Sequence, residues 1–271
     1  MHGAPTVNRV VVRAAQVLRS EDDVEVQIGT EGGSAGGIAA LGDGLAQIAL
    51  SSRPVTPEER AEAPDVRFNQ IYIGEHIVAL VVSSDVWESG IRSLSRQDML
   101  SIYEGRIDNW KELGGEDRRI TFFNSEPGRG TWEIFAQWLY GDAKLARSVR
   151  FPTVANDEDT LNSVAFTRGS LSQLSAGFAD DKTVYAIGMR DDSGRIIKPT
   201  PRNAAMQAYP MSRPLYLIVN DRPTGLVKVM VDLMLGLRGQ EFIRKEGYFT
   251  KDDMEAAAPR NPRPEFEILP P

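Results

Sequence analysis

Two glycine-rich stretches hold the residues of this 271-residue chain best suited to chemistry. Glu31-Gly32-Gly33-Ser34-Ala35-Gly36-Gly37 and Glu126-Pro127-Gly128-Arg129-Gly130-Thr131 each fall between a strand-like run and a stretch of helical character. At a helix start several backbone N–H groups lack an intrahelical partner and point the same way. The aligned peptide dipoles add partial positive charge there, so a small anion is favoured. Glycine lets the backbone approach such a guest with no Cβ in between. Ser34 and Thr131 would add hydroxyl donors, and Arg129, between Gly128 and Gly130, a guanidinium fork suited to an oxyanion. Ala4-Pro5-Thr6 is a third possible helix start, and Ser51-Ser52-Arg53-Pro54 sets two hydroxyls and a guanidinium at the end of an apolar run. Taken singly, each stretch also fits a tight turn, a capped helix or a frayed start.

Other chemistries find less support. Gly32-Gly33-Ser34-Ala35-Gly36 fits G-x-S-x-G, the strand–turn–helix setting of a nucleophilic serine. Its triad would need a histidine, and the chain has two, His2 and His76, of which His76 alone lies downstream. A serine hydrolase using Ser34 is therefore a distant third reading. With no cysteine, thiolate metal sites, disulfides and thiol nucleophiles are excluded. The phosphate-cradling Gly-Lys-Ser/Thr loop and the G-x-G-x-x-G loop with its downstream acid are absent. No carboxylate spacing marks a metal site or an acid/base pair, so the acidic residues read as a solvated face. No catalytic residue, metal or cofactor is expected. Trp87, Trp110, Trp132 and Trp138 could stack bases, but 38 acidic against 31 basic residues give a net charge of −7, the wrong sign for a nucleic-acid partner.

The elements that must position these residues alternate between strand and helix, which points to an α/β layer architecture. Val7, Val10, Val11, Ala14 and Leu18 predict a helix from Thr6 to about Ser20. Val24, Val26 and Ile28 alternate as a strand, and a second helix is expected from about Ile38. Thr56-Pro57-Glu58-Glu59 and Ser95-Arg96-Gln97-Asp98 read as helix starts. Strands are expected over 71–82, 120–123, 184–189 and 215–219. Trp132, Phe135, Ala136 and Leu139 mark one helix, and Leu226, Val229, Met230 and Leu233 the core face of another. No apolar run approaches the ~20 residues of a membrane span. The chain opens almost directly on a helix, so the first strand of such a fold is expected to be missing, and no secretory signal is visible. Pro259 to Pro271 reads as an extended or disordered Pro-rich tail.

Taken in order, these stretches resemble the phosphate-binding, PstS-like subunits of bacterial ABC transporters, which have the two-lobed type II periplasmic-binding-protein fold. Gly3-Ala4-Pro5-Thr6-Val7 is similar to the family's first ligand loop and Gly33-Ser34-Ala35-Gly36-Gly37-Ile38 to its Gly-Ser-Gly-x-Gly-Ile helix start. Ile48 to Val55 resembles its apolar-Ser-Arg-Pro strand end, and Ile102 to Trp110 its pattern of Gly, Ile and Asn-Trp. Gly128-Arg129-Gly130-Thr131 sits where the family has Gly-Ser-Gly-Thr. Tyr209 to Tyr216 looks like the return crossing between lobes, and Gly239-Gln240 through Gly247-Tyr248 like the closing helix.

The resemblance implies an α/β clamshell with lobe one over residues 1–77 plus 212–271 and lobe two over 78–211. It implies that Thr6, Ser34 and Ser52 bind the ligand from the first lobe, with Gly130, Thr131 and the loop backbone binding from the second. Strict phosphate binders carry a carboxylate at the position matched here by Arg53. Their second-lobe arginine falls at Ser125, and the serine of their loop is Arg129 here, so Arg53, Gly128 and Arg129 join the expected ligand set. That keeps oxyanion binding and leaves selectivity for phosphate over sulfate-like anions open. The resemblance further implies no enzymatic activity, a monomer, an ABC permease as partner, and a periplasmic or cell-surface location. A sensing or interaction module of the same fold is the alternative from another class.

Overall fold

In the computed structural model, which describes residues 1–145, 151–258 and 266–267, the chain divides into two units. The first comprises Met1–His76 and Arg213–Glu255, the second Ile77–Ser212 and Ala256–Pro271.

The first unit opens with β1 (His2–Gly3), parallel to β2 (Ala49–Ser51) in the register His2↔Ala49 and Gly3↔Leu50. The first strand, expected to be missing, is thus present and two residues long. It feeds α1 (Pro5–Asp22), where Pro5 occupies the first turn and its absent N–H removes no helical bond. Val7, Val10, Val11, Ala14 and Leu18 are buried as their spacing predicts, packed with Leu50, Ile73, Leu217 and Ile243. Val24, Val26 and Ile28 are half-buried against this core but form no strand, because only Met1 to Gly3 runs beside them. The contact amounts to one bridge, His2↔Gly29, with the Met1 amino group donating to the Gln27 carbonyl at 2.7 Å.

Helix α2 (Gly33–Gly42) starts five residues before Ile38, with its glycines wound into the first two turns. The reason is steric. A Cβ on Gly37 would lie 2.4 Å from the His2 carbonyl oxygen, and one on Gly3 would lie 2.0 Å from that of Leu50. α3 (Pro57–Glu62) is closed by the capping box that Thr56 and Glu59 predict. β3 (Phe68–Ser83) then carries the chain from the first unit into the second.

In the second unit the chain forms α4 (Ser84–Glu88), β4 (Ser93–Ser95), α5 (Arg96–Tyr103), β5 (Thr121–Ser125), α6 (Gly130–Tyr140), β6 (Thr153–Val154), α7 (Asp157–Phe166), β7 (Ser170–Ser175), β8 (Val184–Arg190), β9 (Ile196–Ile197) and α8 (Pro201–Ala205). α5 has the Ser95–Asp98 capping box. β5 is parallel to both β6 and β7, and β3 pairs antiparallel with β7 and β8. Tyr103, Phe122 and Phe135 form the aromatic part of the core, with Tyr103 edge-on to Phe122 at 5.6 Å. Trp110 is buried and donates its Nε1–H to the Gly169 carbonyl at 3.0 Å, a core role and not a stacking platform.

β10 (Ser212–Asn220) returns the chain to the first unit, antiparallel to β2 with Leu217 opposite Leu50. There follow α9 (Gly225–Leu235), α10 (Leu237–Lys245), β11 (Phe249–Thr250), which pairs with β3, and α11 (Lys251–Ala257). The core face of α9 is turned from the expected one. Met230, Val231 and Met234 are buried, whereas Leu226 and Val229 are 61% and 42% exposed. The described end of the chain, β12 (Phe266–Glu267), pairs antiparallel with β9 and groups with the second unit, not with the first as expected for residues up to 271. Those two residues of the Pro-rich tail are therefore in a strand; 259–265 and 268–271 lie outside the described residues. Among the described residues no helix is long and apolar enough to cross a membrane.

Candidate functional site

Each unit gathers part of the expected ligand set at the carboxyl ends of parallel strands, the edge where open α/β sheets place ligands. In the first unit these strands are β1 and β2. Their register puts Gly3 beside Leu50, and the Ala4 N–H donates to the Leu50 carbonyl at 2.8 Å, so α1 starts beside the end of β2. Thr6, in the first turn of α1, is 3% exposed. Ser34, in the first turn of α2, accepts from the Ser52 N–H at 3.1 Å, and its hydroxyl lies 3.3 Å from that of Ser52. Thr6, Ser34 and Ser52 thus sit at the strand ends that open α1 and α2.

Arg53 behaves differently. Its guanidinium donates to Glu59 at 2.8 and 2.6 Å and to the Pro54 carbonyl at 3.0 Å. Hydrogen bonding to Arg53 holds the Glu59 carboxyl below its ordinary range, and the same contact raises Arg53 above its own. Glu59 also accepts from the Thr56 N–H at 2.9 Å. The Arg53 guanidinium is therefore anchored at the start of α3. Ser34 pairs with Ser52, and the buried His76 ring packs on Tyr248 at 4.1 Å.

In the second unit the converging strands are β5, β6 and β7. β5 runs into the 126–129 loop, which takes a positive φ of 90° at Gly128, and α6 begins at Gly130. Ser125, fully buried at the end of β5, and Thr131, 1% exposed in the first turn of α6, carry hydroxyls with no hydrogen-bond partner among the described residues. A buried polar group without a partner costs roughly 1–3 kcal/mol, and these two flank the same loop. Beside them, Gln173 donates to the Asn124 side-chain carbonyl at 2.8 Å, and Asn124 donates to the Tyr103 hydroxyl at 3.2 Å.

Arg129 precedes α6 and donates to Asp157, the first residue of α7, at 3.0 Å and to the Val154 carbonyl at 3.5 Å. The hydroxyl of Ser175, at the end of β7, lies 3.5 Å from the other Asp157 oxygen. Sequence reasoning missed Asp157 and assigned no element to its helix. The signal was there, since Asn156-Asp157-Glu158-Asp159 is a helix cap followed by an acidic first turn, and the Asn156 side chain accepts from the Asp159 N–H at 2.8 Å.

The starts of α1, α2 and α6 share one further trait. No side chain caps them, whereas Thr56, Ser95, Asn156 and Thr200 cap α3, α5, α7 and α8. α4, α9 and α10 are also uncapped, so the bare helix start alone does not mark a site. Hydroxyls gather beside the starts of α2 and α6.

The fold agrees with the comparisons to known proteins. A family model described as a PBP superfamily domain matches residues 1–236. The curated phosphate-binding protein PstS of Bacillus subtilis is 26% identical over 265 residues, covering 96% of this chain and 82% of its own. A crystal structure of a possible phosphate binding protein from Planctomyces limnophilus superposes with a TM-score of 0.79 at 20% identity, covering 94% of this chain and 95% of that one. An ABC-type phosphate transport receptor from Vibrio cholerae superposes with a TM-score of 0.67 at 24% identity, covering 92% and 98%.

Proposed function

The chain belongs to the PBP superfamily, and from that premise we propose that it binds phosphate or a related oxyanion and delivers it to the permease of an ABC transporter. The observation that carries this reading is the pair of buried, partnerless hydroxyls, Ser125 and Thr131, at the uncapped start of α6. They supply what an oxyanion requires, short donors fixed by the fold beside backbone N–H groups already aligned by a helix. The relative from Bacillus subtilis, a phosphate-binding protein by name, supports phosphate as the guest.

Thr6, Ser34 and Ser52 are the proposed donors of the first unit, and Ser125, Gly128, Arg129, Gly130 and Thr131 those of the second. In this reading the protein acts as a monomer and without covalent chemistry. Micromolar affinity needs about −8 kcal/mol. Several hydrogen bonds to a charged group, at roughly 1.5–3 kcal/mol each, cover that and the cost of ordering. Delivery to a permease places the protein outside the cytoplasmic membrane.

Calorimetry on phosphate-stripped protein tests the proposal. One equivalent of phosphate, arsenate, sulfate or molybdate should bind, and Ser34→Ala and Thr131→Val should each weaken binding. Absence of heat with all four anions would overturn it.

A further inference from the structure

The turn that opens α2 has little of its own to hold it. Glu31 is followed by Gly32 and Gly33, which take positive φ of 72° and 58° and carry no side chains. Among the described residues a single side chain bonds to the backbone of this turn. His2, in β1, has its Nε2 2.7 Å from the Glu31 carbonyl oxygen. A carbonyl only accepts, so Nε2 carries the proton and Nδ1 is the nitrogen left to gain one. The chain is shaped around this ring. A Cβ on Gly29 would lie 2.4 Å from Nδ1, and one on Gly36, in the first turn of α2, 3.6 Å from Nε2. The imidazole therefore lies against the helix turn that carries Ser34, and at 25% exposure it can exchange protons with water.

We infer that His2 is a positioning residue for the anion donors of the first unit: its Nε2–H holds the turn before Ser34, and the charge it gains at Nδ1 strengthens the pull of that turn on an anion. The inference rests on the reading that Ser34 and the start of α2 hold an oxyanion. Imidazole is the side chain that ordinarily changes charge between about pH 5 and 8, so anion binding should tighten across that range as pH falls. The other charges around the ring are few. The segment beside β1 contributes Glu31, whose exposed carboxylate lies 3.9 Å from Nε2 and offsets part of an imidazolium's charge, and, further back, exposed Glu25. On β1 itself the Met1 amino group donates to the Gln27 carbonyl, and burial pushes it below its ordinary value. β2 and α2, which pack on β1, hold no charged residue. The first charges of α1, Arg9 and Arg13, are paired with Glu246.

Calorimetry with phosphate and with sulfate, at about pH 8 and about pH 5.5, compares wild type with His2→Gln and His2→Ala. The reading is the ratio of wild-type to His2→Gln affinity, in which any titration of the anion itself cancels. That ratio should rise about three- to tenfold from the higher pH to the lower, the worth of one nearby unit charge in a partly solvated site. His2→Gln, whose amide can still donate to the Glu31 carbonyl, should bind as wild type does at the higher pH. His2→Ala, which leaves the turn unheld, should bind more weakly than His2→Gln at both. Proton NMR of wild type gives a reading that no variant's folding can disturb. Because linkage is reciprocal, saturating sulfate or phosphate should raise the titration midpoint of the His2 ring. A ratio that does not change with pH, a His2→Ala protein that binds as tightly as His2→Gln, or a His2 midpoint unmoved by a bound anion would overturn the inference. Failure of wild type to bind any oxyanion at either pH would instead overturn the functional proposal, so the two failures are distinguishable.

Discussion

The Ser34 hydroxyl stands 3.1 Å from the backbone nitrogen of Ser52 and 3.3 Å from its hydroxyl, so the first turn of α2 and the end of β2 act as one polar unit. Two residues eighteen positions apart are joined because β1 lies between their supports. α2 packs on β1 through Gly37, and β2 pairs with β1 through Ala49 and Leu50.

Ser34→Ala removes the acceptor that holds the Ser52 N–H. Loss of stability of about 1 kcal/mol is expected, the worth of one ordinary hydrogen bond, with a larger proportional loss of anion affinity. Denaturant unfolding and calorimetry on the same sample would separate the two effects. Full anion affinity in Ser34→Ala would remove α2 from the site.

Thr131→Val should stabilise the ligand-free protein and weaken its anion binding. The Thr131 hydroxyl is buried with no partner among the described residues, and such a group costs roughly 1–3 kcal/mol. Valine keeps the shape and removes that cost, while the donor to the anion is lost at about tenfold or more in affinity. Thermal unfolding with and without phosphate reads both signs, and a variant less stable in the absence of phosphate would show the hydroxyl to be satisfied within the fold.

Acid should loosen the α3 corner through Glu59. Its folded-state pKa lies below the ordinary glutamate value of about 4.3, chiefly through the Arg53 contact. A depressed pKa stabilises the fold above that ordinary value, and the contribution fades as pH falls through the lower, folded-state value. Because Arg53 is partly exposed, solvent screening keeps the effect under about 1 kcal/mol. Unfolding followed from neutral pH down to about pH 3 should decline less steeply for Glu59→Gln than for wild type over the acid limb. Identical acid limbs would discount the contact.

Gly37→Ala places a Cβ 2.4 Å from the His2 carbonyl oxygen and 2.8 Å from Gly3 Cα, neither of which is a mobile side-chain end. α2 must shift away from β1, and overpacking of this kind typically costs 1–3 kcal/mol. Ser34 moves with the helix, so anion affinity should fall together with the melting temperature, and a variant that melts like wild type would show the contact to be slack.

Much of the frame was legible because local chemistry decided it. The Thr56 and Ser95 capping boxes, the buried stripe of α1 and the strands around Ile77, Phe122 and Leu217 follow from residue type and spacing. Where neighbours decided, the reading slipped. Val24, Val26 and Ile28 alternate as a strand should, yet have only Met1 to Gly3 beside them. The glycines before Ile38 read as loop, and only the closeness of β1 explains why they are helical. The candidate hydroxyls were visible as sequence, but the partners of the two arginines were not. Glu59 lies six residues from Arg53 and Asp157 twenty-eight from Arg129, and nothing in a linear pattern says which carboxylate a guanidinium will meet.

A hydroxyl without a fixed partner is a rotor. The proton on Ser125 or Thr131 can swing toward a guest that offers a lone pair, or away from one that offers a proton of its own. As the surroundings turn more acid or alkaline and a phosphate-like ion gains or loses hydrogen, this wall of the receptor can follow by turning single bonds, with no movement of the backbone.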